Sequence, residues 1–159
     1  MMQLIKGLNP TKYTPRSYIL ADMDNLSEEK AIQYEKKLGK GNYSIFKIPR
    51  ARKVGQPLRT VPFSMAFALL KSSKLFIQTW PDLILCNGPG SCIPLCILAY
   101  IPRFLGLKKI EIIYIESFAR VHTLSLTGKL LYPFADRFLV QWPELSSRFQ
   151  RAEYQGVLV

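Results

Sequence analysis

The fold class is indicated by the segment Asp82-Leu83-Ile84-Leu85-Cys86-Asn87-Gly88-Pro89-Gly90-Ser91-Cys92. A short apolar run is followed by turn-forming residues, and a second apolar segment then extends from Ile93 to Leu105. This order predicts a buried strand, a tight turn and a helix, which together form the repeating unit of an α/β sheet. We therefore expect an α/β protein with a doubly wound, mainly parallel sheet.

The turn itself, Asn87-Gly88-Pro89-Gly90-Ser91, is a candidate site for an anion such as a phosphate. Gly88 and Gly90 allow backbone angles and a close approach that a side chain would block. Ser91 is predicted to cap the following helix, whose first N–H groups would then face the anion. The alternative, which the local sequence alone favours, is a strand-to-helix turn that needs glycine only for its geometry.

The charge of the 159-residue chain is strongly positive and unevenly distributed. The net charge is +11, of which residues 1–80 contribute +9, from 14 Lys/Arg and 5 Asp/Glu, and residues 81–159 contribute +2. The basic half predicts a surface that meets lipid headgroups or phosphates. We expect no nucleic-acid partner, because the sequence carries no nucleic-acid-binding signature.

Cysteines and histidine argue against a metal site. The three cysteines lie in apolar surroundings, which is typical of reduced core residues in a protein that faces the cytosol. The single histidine, His122, is distant in sequence and completes no zinc pattern, so no metal and no cofactor is expected. The uncharged span 83–102 has the length of a membrane helix, but its glycine turn interrupts it, so we predict no membrane span.

Apolar periodicity and turn residues predict the remaining elements in order. Strands are expected at Tyr18–Ala21, Ser44–Ile48, Leu83–Cys86, Ile110–Ile115, Arg137–Gln141 and 154–159. Helices are expected at Ser27–Leu38, Val61–Thr79, Ile93–Leu105 and Ser125–Ala135, with a short one opened by Pro143.

Two segments are candidates for contact with an anionic membrane. The stretch 47–59 holds five cations and no acid: Lys47, Arg50, Arg52, Lys53 and Arg59. It is either a solvated loop or a contact for phosphate or lipid headgroups. The amphipathic helix Val61–Thr79 is either a core crossover helix, which the pattern favours, or one that also rests on a bilayer.

Glu116 directly follows the predicted strand Ile110–Ile115, with Ser117 and Arg120 close behind. Open α/β sheets bind ligands at the carboxyl ends of their strands. A carboxylate in that position is suited to act as a general base or to hydrogen-bond a sugar hydroxyl. The alternative is a surface ion pair between Glu116 and Arg120.

Five motifs in order carry a resemblance to a known family. They are Leu-Cys-Asn-Gly-Pro-Gly-Ser at 85–91, Tyr-Ile-Glu-Ser-Phe-Ala-Arg-Val at 114–121, Leu-Ser-Leu-Thr-Gly-Lys-Leu-Leu-Tyr-Pro-Phe-Ala-Asp at 124–136, Val-Gln-Trp-Pro-Glu at 140–144 and Arg-Ala-Glu-Tyr-Gln-Gly at 151–156. Together they closely resemble the membrane-anchor subunit of a two-subunit N-acetylglucosamine transferase. That enzyme adds the second sugar to the dolichol-linked precursor of asparagine-linked glycosylation.

The resemblance implies a Rossmann-like domain similar to the N-terminal, acceptor-binding half of a GT-B glycosyltransferase. It implies a separate catalytic subunit that binds UDP-N-acetylglucosamine, dolichyl-pyrophosphate-N-acetylglucosamine as acceptor, and a location at the cytosolic face of the endoplasmic reticulum membrane. This chain alone is expected to be inactive. By the same resemblance Glu116 lies in the interdomain cleft, the turn 87–91 with Ser117 and Arg120 serves the acceptor, and Val157, Leu158 and Val159 bind the partner.

The sequence also departs from that family. Family members begin with a membrane segment and a first strand ending in Gly-Gly-His-Thr, and neither is found here. The expectation is therefore a single domain over 1–159, incomplete at its N-terminus. Two other functions stay open. One is a cationic membrane scaffold without chemistry. The other is a nucleotide-cofactor protein, although position 93 is Ile where the dinucleotide fingerprint needs a third glycine.

Overall fold

The computed structural model describes residues 5–22, 24–39, 41–49, 61–88 and 90–156. Strands and helices alternate along these residues, and every strand pair is parallel. The α/β class with a mainly parallel sheet is therefore confirmed. The chain divides into two compact units, 1–50 and 51–159. Their organisation as a single domain stays a prediction of the sequence.

The first unit contains β1 (Arg16–Ala21), α1 (Asn25–Leu38) and β2 (Tyr43–Ile48). The two strands pair in parallel, with Arg16 opposite Tyr43 at one end of the ladder. Helix α1 begins at Asn25, two residues before the predicted start, because the Asp24 carboxylate accepts a hydrogen bond from the Ser27 N–H (3.1 Å). Helix α1 ends at Gly39, whose φ of 60° lies in the left-handed region.

Glu35 is the buried charge of this unit, and it is fully partnered. Its carboxylate accepts hydrogen bonds from Arg16 Nε (2.8 Å), Arg16 Nη2 (2.7 Å) and the Tyr18 hydroxyl (2.5 Å). The Arg16 hydrogen bonds hold the pKa of Glu35 below its usual value, and burial raises the pKa of Tyr18. The cluster joins α1 to β1 through charge-assisted hydrogen bonds.

Glu35→Gln is expected to destabilise the protein at neutral pH by roughly 1–3 kcal/mol, because a bidentate charged pair is lost. The pKa of Glu35 is lower in the folded protein than in the unfolded chain, so its ionised carboxylate stabilises the fold at pH values above the unfolded-state pKa. This stabilisation is lost as the pH falls through the folded-state pKa. Urea unfolding from about pH 7 to about pH 3 should therefore show a shallower acid limb for the variant. The exposed Glu29→Gln serves as the control, and parallel acid limbs for wild type and Glu35→Gln would contradict the account.

The second unit carries a sheet of four parallel strands in the order β3-β4-β5-β6. Its elements are α2 (Val61–Thr79), β3 (Leu83–Asn87), α3 (Cys92–Phe104), β4 (Glu111–Ile115), α4 (Leu126–Leu131), β5 (Arg137–Val140), α5 (Pro143–Arg148) and β6 (Ala152–Tyr154). Within the described residues, no helix combines the length and the apolar character needed to span a bilayer.

The core of the second unit forms on the two central strands. Tyr114 on β4 and Phe138 on β5 are register partners and stack with ring centroids 4.9 Å apart. Both are fully buried, as is Ile112 on the same face of β4. Asn87 is the register partner of Ile115, and the Glu116 N–H donates to the Leu139 carbonyl (2.8 Å). The carboxyl ends of β3, β4 and β5 therefore lie at one edge of the sheet.

Two predicted elements differ from the structure by more than one or two residues. Helix α4 ends at Leu131 instead of Ala135, because Pro133 has no N–H and its ring would clash inside a continuing helix. The Arg151 guanidinium instead donates to the carbonyls of Tyr132, Pro133 and Ala135 at 2.7–2.9 Å. The strand predicted at 154–159 is observed at Ala152–Tyr154. Val157, Leu158 and Val159 lie outside the described residues.

Candidate functional site

The glycine turn and the segment after β4 are neighbours at the carboxyl edge of the sheet. A Cβ built on Gly88 would lie 3.8 Å from the Ser117 Cβ, and one on Gly90 would lie 3.8 Å from the Thr127 Oγ1. Gly88 has a φ of 72°, a conformation in which a side chain is strained. The structure thus brings Gly88 beside Ser117 and Gly90 beside Thr127. Pro89 lies outside the described residues.

The prediction that Ser91 caps the following helix is wrong. The Ser91 hydroxyl makes no capping hydrogen bond, and its backbone is already helical (φ −64°, ψ −17°). A capping side chain usually needs an extended backbone to reach the N–H groups of the first turn. The turn bonds through its backbone instead, since the Ile93 N–H donates to the Gly90 carbonyl (3.2 Å).

Glu116 is the charged centre of this edge, and it is completely buried, with 0% of its surface exposed. Its Oε1 accepts a hydrogen bond from the Ser117 N–H (2.8 Å). Its Oε2 accepts from the Ser125 N–H (2.9 Å) and from the Ser125 hydroxyl (3.1 Å). The carboxylate therefore joins the two ends of the loop 117–125. Arg120 is exposed on that loop. Among the ion pairs of the described residues none joins Glu116 to Arg120, so that alternative prediction is wrong.

The start of α4 is built around this carboxylate. Ser125 is the N-cap, and its hydroxyl accepts a hydrogen bond from the Gly128 N–H (2.9 Å). Gly128 leaves the space that Glu116 fills, because a Cβ there would lie 2.2 Å from the Glu116 Oε2. The Tyr114 hydroxyl lies 3.1 Å from the Ser125 Oγ, and burial raises the pKa of Tyr114. Sequence reasoning missed Ser125 and Gly128 as site residues, although a serine at the start of a predicted helix is a common N-cap.

The loop 117–125 is also fastened to the segment after β5. The Trp142 indole N–H donates to the Phe118 carbonyl (2.7 Å), and Arg148 Nη1 donates to the His122 carbonyl (3.1 Å). The Phe118 and Trp142 rings lie with their centroids 5.0 Å apart at an angle of 44°. Three side chains, those of Glu116, Trp142 and Arg148, thus bind a loop without regular structure. Sequence reasoning did not identify Phe118 or Trp142.

A thiol cluster is formed by the cysteines that flank the glycine turn in sequence, Cys86 and Cys92, together with Cys96. Cys86 Sγ and Cys96 Sγ are 3.5 Å apart, and all three cysteines are free. Hydrogen bonds to Cys92 and Cys96, together with burial, raise the pKa of Cys86, and the Cys86 thiol lowers the pKa of Cys92. No group of three metal-binding side chains occurs among the residues that the structure describes.

Of the cations predicted to meet an anionic surface, only Lys47 falls within the described residues. It lies in the first unit, where its Nζ pairs with Glu28 Oε2 at 2.6 Å. Arg50, Arg52, Lys53 and Arg59 lie outside the described part of the chain, so their role stays a prediction.

A parallel sheet with a glycine turn and an anchored polar loop at the carboxyl ends of its strands defines an α/β protein of the open-sheet class. Within that class, the chain belongs to the family described as "Oligosaccharide biosynthesis protein Alg14 like", which matches residues 1–158. This confirms the family to which the five sequence motifs pointed.

Curated relatives share this family and a common description, UDP-N-acetylglucosamine transferase subunit. The relative from Schizosaccharomyces pombe is 47% identical over 161 residues, covering 99% of this chain and 76% of that protein. The human relative is 39% identical over 166 residues, covering 100% of this chain and 76% of that protein. The relative from Candida albicans is 42% identical, covering 100% and 72%.

Among solved structures, MurG of Acinetobacter baumannii is similar to 81% of this chain, which corresponds to 42% of MurG. The sequence identity is 18% and the TM-score is 0.48. This similarity is too low to carry a functional comparison.

Proposed function

We propose that this chain is the acceptor-side subunit of a UDP-N-acetylglucosamine transferase that adds the second N-acetylglucosamine to dolichyl-pyrophosphate-N-acetylglucosamine. A separate catalytic subunit binds the UDP-sugar, and Val157, Leu158 and Val159 contribute to binding it. The complex works at the cytosolic face of the endoplasmic reticulum membrane. The observation that carries the proposal is the description of relatives that match 99–100% of this chain as subunits of a UDP-N-acetylglucosamine transferase.

The proposed reaction is an inverting transfer in which the 4-hydroxyl of the acceptor sugar attacks the anomeric carbon, its proton passes to a base of the assembled complex other than Glu116, and the bond to UDP breaks so that UDP leaves. This chain contributes by positioning the acceptor, which converts an encounter of two substrates into a reaction within one complex. Arg120 is exposed on the anchored loop and supplies a positive charge for the lipid pyrophosphate. The adjoining wall of this acceptor site is formed by the turn at Asn87, Gly88 and Gly90 and by the nearby Ser117.

Glu116 has the role of orienting the acceptor site instead of accepting a proton. A general base must come within hydrogen-bond reach of the hydroxyl that it deprotonates. Both oxygens of Glu116 are bonded to Ser117 and Ser125, and the residue has no exposed surface. These contacts favour a carboxylate that fixes the loop bearing Arg120.

The membrane-facing surface of the proposed subunit is the outer side of helices α2 and α3. Large apolar side chains are exposed on both helices, and neither helix contains an acidic residue. They are Phe63, Phe67, Leu70 and Ile77 on α2 and Ile97, Ile101 and Phe104 on α3. The exposed Lys71 and Lys74 on α2 add positive charge. An apolar surface with lysines and no acids is complementary to an anionic lipid bilayer.

Leu70→Glu is expected to weaken binding to vesicles that contain anionic lipid by about tenfold, because it removes an apolar contact and adds a repelled charge. Sedimentation with vesicles of phosphatidylcholine and phosphatidylserine measures the effect. Leu26→Glu is the matched control, since Leu26 is 72% exposed on α1 and Leu70 is 74% exposed on α2. Equal loss in both variants would mean that only net charge matters and would contradict a specific α2–α3 surface.

Transfer of labelled N-acetylglucosamine to a lipid-pyrophosphate-N-acetylglucosamine acceptor tests the function. The reaction is run with this chain alone, with the catalytic subunit alone and with both together. Activity in the mixture alone is the expected result. No gain on mixing, with a longer relative active in parallel, would refute the proposal.

A further inference from the structure

The pair Phe118–Trp142 is an exposed aromatic surface at the same sheet edge as the acceptor site. Phe118 follows β4 and is 45% exposed, and Trp142 follows β5 and is partly exposed. The two residues come from strand ends that are neighbours in the sheet. Ser117, which borders the glycine turn, immediately precedes Phe118. The rings therefore lie next to the groups assigned to the acceptor.

The pair is held in place by a hydrogen bond and by the packing of its two rings on each other. The indole N–H of Trp142 already donates to the Phe118 carbonyl (2.7 Å), so the polar atom of this side chain is satisfied within the protein. Arg148 holds the same loop at His122, and Glu116 holds its start at Ser117. What remains for a ligand is a rigid apolar surface, which loses little conformational entropy on binding.

We propose that Phe118 and Trp142 form a stacking platform for the apolar C–H face of the N-acetylhexosamine ring of the acceptor. This rests on the proposed function and adds the group that orients its sugar. A pyranose ring presents C–H groups on one face and hydroxyls around its rim, so an aromatic surface fixes the ring plane while leaving the reacting hydroxyl free. The pyrophosphate would then extend toward Arg120, two residues further along the same loop.

Phe118→Leu is the informative variant, because Trp142 donates to the backbone carbonyl of residue 118 and that hydrogen bond is retained. We expect the KM for the lipid-linked acceptor to rise by about tenfold, the loss typical of a well-placed aromatic contact. The KM for UDP-N-acetylglucosamine and the affinity for the catalytic subunit should not change. Phe118→Tyr, which keeps an aromatic ring at this position, should have the same acceptor KM as the wild type.

Phe134→Leu is the matched control, since Phe134 is 47% exposed and also packs against another ring, that of Tyr100 at 5.1 Å. It follows α4 and precedes β5, away from the carboxyl ends of the strands. Its acceptor KM should equal that of the wild type. Equal KM values for wild type and Phe118→Leu would overturn the platform while leaving the proposed function intact. An inactive wild-type mixture would instead refute the proposed function.

A spectroscopic measurement keeps the platform testable even without turnover. The chain has two tryptophans, Trp80 and Trp142, and a 5-fluorotryptophan-labelled sample gives a fluorine resonance for each. In complex with unlabelled catalytic subunit, a short-chain prenyl-pyrophosphate-N-acetylglucosamine should shift the Trp142 resonance only. Trp80 precedes β3 and is the internal control. A Trp142 shift on adding the catalytic subunit, with none on adding the acceptor analogue, would make the pair a subunit contact and refute the platform.

Discussion

Gly128→Ala is expected to lower the free energy of unfolding by roughly 3 kcal/mol, although alanine is normally the better helix former. The new Cβ would lie 2.2 Å from Glu116 Oε2 and 3.1 Å from Ser125 Oγ. The carboxylate would have to move, which breaks its hydrogen bonds to Ser125 in a buried site. Ordinary helical Gly→Ala changes stabilise by about 0.5–1 kcal/mol, so the sign of the effect is diagnostic.

Gly90→Ala is the control for this result, because its added Cβ would make only an ordinary contact of 3.8 Å with Thr127 Oγ1. Equilibrium unfolding in urea should show Gly90→Ala within about 1 kcal/mol of wild type. The transfer activity of the complex containing Gly128→Ala should fall as well, since the loop 117–125 loses its fixed end. A neutral or stabilising Gly128→Ala would show that Glu116 does not occupy the observed position.

Glu116→Gln is expected to cost roughly 2–3 kcal/mol of stability, because an amide nitrogen must replace one carboxylate oxygen. In either orientation this nitrogen faces a backbone N–H, that of Ser117 or that of Ser125. The resulting mismatch should loosen the loop and raise the KM for the acceptor more than it lowers kcat. Urea unfolding and steady-state kinetics of the reconstituted complex measure the two effects.

The competing role for Glu116 gives a different pattern of results. Loss of a general base would lower kcat by about 10²- to 10⁴-fold, with stability and acceptor KM close to wild type. Glu144→Gln provides the control for a carboxylate changed at an exposed position near the same edge. A fully stable, correctly assembled Glu116→Gln complex without turnover would therefore overturn the positioning role.

The elements that were predicted best are those that a single local pattern determines. The strand at Leu83–Asn87 follows from an apolar run ended by glycine, and Val61–Thr79 is observed over the predicted range. The capping role predicted for Ser91 is wrong because the backbone angles at the end of a glycine turn cannot be read from residue type. The predicted end of α4, Ala135, lies beyond the observed end at Leu131, although Pro133 is a usable stop signal.

The candidate site was only partly predictable because its contacts are distant in sequence. Glu116 and Ser117 could be placed at a strand end from the order of residues alone. The hydrogen bond from Trp142 to Phe118 joins residues 24 positions apart, and it depends on the register of β4 against β5. No repeating pattern of apolar residues in the sequence indicates such a pairing. The close approach of Glu116 to Gly128 is likewise a matter of three-dimensional packing.

The central claim is that this chain holds the acceptor at the carboxyl edge formed by β3, β4 and β5. Photocrosslinking tests it most directly, with a lipid-pyrophosphate-N-acetylglucosamine acceptor that carries a diazirine on its N-acyl group. After irradiation of the assembled complex, mass spectrometry should find the label on residues 86–91 and 117–122 of this chain, and an unlabelled acceptor should compete it away. Competable label confined to the catalytic subunit or to residues 1–50 would contradict the account.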